Sequence, residues 1–68
     1  MKDISIDTEF IKLDQFLKYE GLVSTGGEAK SVINDGLVKV NGKAEFARGK
    51  KLYKQDVIEF EGEQYKIV

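Results

Sequence analysis

Sixty-eight residues with a net charge of −1 and neither Cys nor His have material for one domain, and they exclude disulfides, thiolate chemistry and the His-dependent triads. Domains this small bury only roughly 60% of the surface their unfolded chains expose, so a modest stability is expected. The near-neutral total conceals an uneven distribution: Met1 to Ala29 carries −3, Lys30 to Lys54 carries +5 and Gln55 to Val68 carries −3, a basic middle between two acidic flanks.

In chain order, Ile4 and Ile6 predict a short edge strand, with Asp7-Thr8 as its turn. Leu13, Phe16 and Leu17 have the i, i+3, i+4 spacing of an amphipathic helix over 10–19, which Gly21 stops. Leu22 and Val23 read as a buried connection. Thr25 and Glu28 then have capping-box spacing, opening a second helix with Ala29, Val32 and Ile33 on one face. Gly36 stands where a left-handed C′ residue is wanted, and Leu37 is placed to fold back on the helix.

After Gly36 the period changes to two, with Val38 and Val40 on one side and Lys39 on the other. Asn41-Gly42 is a strong hairpin signal. A strict two-residue turn would pair Val40 with Lys43 and leave Ala44 and Phe46 on the opposite face, whereas a one-residue bulge returns them to the valines, and the bulged turn is the expectation. Ala47 to Lys51 reads as a polar loop closed by Leu52, Gln55-Asp56 as a turn, and Val57 to Phe60 as a strand. Glu61-Gly62 turns into a last strand, 64–68, with Tyr65 and Ile67 on one side. The fold class is α+β: two short helices packed on a small, mostly antiparallel sheet, in a single domain over 1–68.

Catalysis has little to stand on. Glu59, Glu61 and Glu63 alternate like the exposed side of a strand, and a nucleophilic Lys needs a buried pocket that a chain this short scarcely provides. No enzyme, cofactor, metal site or small-molecule substrate is expected. Gly26-Gly27 at a helix start suggests a phosphate site. However, Thr25 and Glu28 already occupy those amides, Glu28 repels an anion, and Ala29 stands where a P-loop has glycine. The two glycines are read instead as allowing close approach, either of the chain to the first helix or of a bound partner's backbone to the second. Phe10, Phe16 and Phe60 are assigned to the core, Tyr19 to the surface, and Tyr53 and Tyr65 are left open. No apolar run approaches a signal peptide or the ~20 residues of a membrane span. The expectation is a cytoplasmic protein without a membrane partner.

The segments LDQFLKYEGLV, STGGEAKSVINDGLVKVNG and ARGKKLYKQDVIEF, in this order over 10–60, resemble the S-four RNA-binding domain, and GGEAK and RGKKL look closest to a stand-alone bacterial subgroup associated with ribosome assembly. The resemblance implies two helices against a small bent sheet, the alpha-L RNA-binding motif, with RNA bound across the second helix and the adjoining hairpin. Carried over by position, the RNA contacts are Lys30, Lys39, Lys43, Arg48, Lys50 and Lys51. Gly26-Gly27 departs from a Ser-Arg common in the family, and Ala47 replaces an arginine frequent in the subgroup. The implied function is recognition of structured RNA, ribosomal RNA or its precursor, by phosphate position and shape. A second reading makes the chain an adaptor, with Asp56, Glu59, Glu61 and Glu63 meeting a basic ribosomal protein or an RNA enzyme.

Overall fold

The computed structural model describes every residue from Met1 to Val68. Strand β1 (Lys2–Ile4) is followed by β2 (Ile11–Lys12), helix α1 (Leu13–Tyr19), helix α2 (Gly26–Asn34), β3 (Val38–Val40), β4 (Lys43–Ala44), β5 (Lys51–Leu52), β6 (Val57–Phe60) and β7 (Glu63–Ile67). The main sheet runs β1-β7-β6-β3-β4 and is antiparallel except where β1 lies parallel to β7. Strands β2 and β5 form a separate two-stranded ribbon.

Alternation along the strands sends Ile4, Val38, Val40, Ile58, Phe60, Tyr65 and Ile67 to one face, where they are buried. Leu13, Phe16 and Leu17 of α1 and Ala29 and Ile33 of α2 complete the same core, with Val23 and Leu52. Phe16 is fully buried and meets Tyr65 edge-on, with centroids 5.6 Å apart and planes at 72°, a favoured aromatic geometry. Of the aromatics assigned to the core, Phe16 and Phe60 are buried and Phe10 is half-buried. Tyr19 is exposed as expected, while the two open cases divide into a buried Tyr65 and an exposed Tyr53.

The expected bulge after Asn41-Gly42 is absent. The register is Val40↔Lys43 and Lys39↔Ala44, the strict two-residue hairpin. Asn41 and Gly42 both take positive φ, 52° and 86°, as a primed turn requires, so turn chemistry prevails over the pull of Ala44 and Phe46 toward the valines. Ala44 is exposed, and Phe46 is 60% exposed. The Phe46 ring leans instead on Gly36, where an added Cβ would stand 3.1 Å from its Cε1.

Gly36 therefore meets two constraints. At φ 73° it closes α2 in a Schellman arrangement, its N–H donating to the Ile33 carbonyl (3.0 Å) and the Leu37 N–H to the Val32 carbonyl (3.1 Å). It also leaves room for the ring. Replacing Gly36 by Ala is expected to cost about 1–2 kcal/mol from the left-handed backbone alone. In a domain of this size each kcal/mol lowers Tm by about 4–8 °C, which a thermal melt by circular dichroism resolves. Because the backbone cost is independent of the ring, most of the loss should persist in a Phe46→Ala background.

At its other end α2 starts on Thr25, whose Oγ1 accepts from the Glu28 N–H at 3.1 Å. The Glu28 carboxylate reaches back one residue further than a capping box requires, accepting from the Ser24 N–H. The expected close approach of the chain at Gly26-Gly27 to α1 is not observed. A Cβ on Gly26 would meet nothing within 4 Å, and one on Gly27 only Thr25 Oγ1 at 3.9 Å.

Candidate nucleic-acid interface

Helix α1 begins at Leu13, three residues later than the sequence pattern predicts, because Ile11 and Lys12 pair with Leu52 and Lys51 as a strand. Helix starts leave amide donors without intrahelical partners, and the residue preceding α1, Lys12, has no side-chain acceptor to offer. The donors are satisfied from the basic segment. The Leu13 N–H donates to the Lys50 carbonyl (2.8 Å) and the Asp14 N–H to the Arg48 carbonyl (3.1 Å). The Gln15 side chain accepts from the Lys12 N–H at 3.4 Å. The run read as a polar loop is thus clamped to a helix end through its carbonyls, while Arg48, Lys50 and Lys51 stay exposed.

The β2–β5 register sets Lys12 directly opposite Lys51. Lys12 accordingly joins the ridge of Arg48, Lys50 and Lys51, although the sequence reading left it out. The available signal was a shared pattern, one aliphatic residue between an aromatic and a lysine, in Phe10-Ile11-Lys12 and Lys51-Leu52-Tyr53. Like charges placed opposite each other on a ladder repel, so a sequence that keeps Lys12 facing Lys51 concentrates positive potential at the cost of some ribbon stability.

The other candidate residues are distributed unevenly. Lys30 is exposed on α2, the helix that packs against α1. Lys43 lies opposite Val40 and so emerges on the side of the sheet that the helices cover. Lys39 does not join them: it projects from the other face, with Ala44 across one ladder and Glu59 across the next. The irregular turn would have altered this relation; the regular one separates Lys39 from Lys43 by a full sheet thickness.

The acidic flank is also divided. Asp56 is engaged internally, its Oδ1 accepting from Asn41 Nδ2 (3.1 Å) and its Oδ2 from the Tyr53 N–H (2.8 Å). Asn41 Oδ1 in turn accepts from the Val57 N–H at 2.9 Å, and the Asn41 N–H donates to the Val57 carbonyl at 2.7 Å. The Val40-Asn41-Gly42 turn and the segment around Asp56 are therefore two halves of one clasp. Glu59 lies across from Lys39, and its Oε1 accepts from Gln64 Nε2 at 3.5 Å. The remaining acids of the set, Glu61 and Glu63, sit at the exposed β6–β7 turn.

Comparison with known proteins agrees with this geometry. A family model described as the S4 domain matches residues 4–68. The probable ribosome maturation protein RlbA of Bacillus subtilis (strain 168) is 49% identical over 59 residues, which cover 87% of this chain and 83% of that protein. The solution structure of YbcJ from E. coli, described as revealing an alfal motif involved in RNA-binding, matches with a TM-score of 0.73 at 30% identity, over 100% of this chain and 87% of that one. The fold implied by the resemblance, two helices on a bent, mostly antiparallel sheet, is the fold observed.

Proposed function

This chain belongs to the S4 domain family, and from that premise we propose that it binds structured RNA through phosphate contacts, as a non-catalytic factor in ribosome maturation in the cytoplasm. The observation that carries the reading is the ridge of Arg48, Lys50 and Lys51, held by two main-chain hydrogen bonds to the start of α1 and flanked by Lys12. A cation whose backbone is already fixed loses less freedom on meeting a phosphate than one on a free loop. Each contact releases a condensed counterion, which makes affinity fall steeply with salt.

Lys30 and Lys43 extend the contact from the ridge to α2 and the hairpin. Lys39 contributes least, because it faces the other way beside Glu59. The RNA is ribosomal RNA or its precursor, with ribosomal proteins as neighbours; the similarity to a protein named for ribosome maturation supports this. Fixed backbone cations with few base-edge readers suit recognition by shape and phosphate position.

The test is a salt series with ribosomal RNA fragments. Replacing Arg48, Lys50 and Lys51 together by Ala should reduce the slope of log affinity against log salt by about 3, since each phosphate contact accounts for roughly 1. Lys39→Ala should leave the slope nearly unchanged. A triple variant that stays folded and keeps the full slope, or a Lys39 effect as large as that of a ridge residue, would refute the assignment.

A further inference from the structure

The β2–β5 ribbon has two faces. Ile11 and Leu52, directly opposite each other, point into the core. Period-two alternation then sends Phe10 and Lys12 on one strand, and Lys51 and Tyr53 on the other, to the outside together. Their contacts agree with this: the Phe10 and Tyr53 rings lie 5.9 Å apart at 52°, and Lys51 Nζ stands 4.8 Å from the Phe10 centroid. Tyr53 is 43% exposed, and its main chain is fixed by the hydrogen bond from its N–H to Asp56. The result is an aromatic ledge with a lysine on each strand, beside the clamped basic ridge.

Resting on the RNA reading above, we propose that this ledge is a nucleobase site: Tyr53 stacks on an unpaired base while Lys12 and Lys51 hold the phosphates on either side of it. An exposed aromatic ring presents a π-face to any base, and exposed cations beside it suit the backbone that continues from that base. Lys51 already lies against Phe10, which leaves the Tyr53 ring as the one to receive the ligand. Phosphate contacts alone would bind duplex and loop alike. The ledge adds a preference for RNA with unstacked bases, such as loops and bulges.

The experiment compares binding of the unaltered protein to an RNA stem-loop with an adenosine loop and to the same stem-loop carrying abasic loop residues. Loss of the bases should weaken binding about ten-fold, within the range of one stacked base. Tyr53→Phe should retain the preference, whereas Tyr53→Leu should lose it and bind both stem-loops equally. Equal binding of both by the unaltered protein, with the salt slope intact, would overturn the ledge and leave the phosphate reading standing. Binding of neither at low salt would overturn both. The stem-loop comparison on the unaltered protein is independent of whether the Leu variant folds.

Discussion

Phe16→Ala is expected to remove about half or more of this domain's stability. The side chain is fully buried and carries α1 onto β7, meeting Tyr65 edge-on. Truncating a buried Phe costs about 3–5 kcal/mol through lost transfer energy and the cavity left behind. A chain of this length has roughly 3–10 kcal/mol in total, at the usual 0.05–0.15 per residue. No disulfide adds to it. Denaturant titration by circular dichroism would read the loss, and Phe16→Leu should retain more than half of the stability. A Phe16→Ala protein less than about 1 kcal/mol weaker would contradict the packing of α1 described above. RNA affinity should fall in parallel with the folded fraction, because α1 is what holds the Arg48 and Lys50 carbonyls.

The second large effect is expected at Asn41. Its side chain bridges the Val57 N–H and the Asp56 carboxylate, and its backbone sits at φ 52°. Asn41→Ala removes both hydrogen bonds and places an ordinary residue in the left-handed region, for a combined loss of about 2–3 kcal/mol. Asn41→Gly keeps the backbone conformation and loses only the bonds, so it should fall between the two. A double-mutant cycle with Asp56→Ala should show a coupling of about 1 kcal/mol, as residues sharing one network do. Strict additivity would mean that the clasp is not formed in solution. Asp56 also orients the main chain of Tyr53, so Asp56→Ala should weaken RNA binding beyond its effect on folding.

The elements that could be read from the sequence are those whose causes lie close together in the chain. Helix α2 is of this kind: its Thr25 cap, its buried Ala29 and Ile33 and its Gly36 closure fall within one short stretch. The two hairpin turns at Asn41-Gly42 and Glu61-Gly62 are equally local, each with both residues at positive φ. The pattern over Phe10 to Tyr19 was less decisive. Ile11 is compatible with a helical face and with a strand, and only its pairing with Leu52, distant in sequence, selects the strand. For Phe46, the hydrophobic pattern points to the face opposite the one the ring occupies. The primed turn sets the register, and the ring finds cover on Gly36 instead of the core.

The candidate site divides in the same way. Composition placed the positive charge between Lys30 and Lys54, and that holds however the chain folds, because charge is carried by residues and not by contacts. Which of those charges act together is a matter of register and docking. One hairpin register turns Lys39 away from Lys43. A helix without a side-chain cap draws the Arg48 and Lys50 carbonyls to its amides, and a two-residue ladder brings Lys12 to Lys51 and Phe10 to Tyr53. By itself the sequence determined helix α2, the positions of the two hairpin turns and the sign of the surface. Tertiary structure decided the grouping of its side chains, because those groupings depend on hydrogen bonds between segments far apart in the chain that no local pattern encodes.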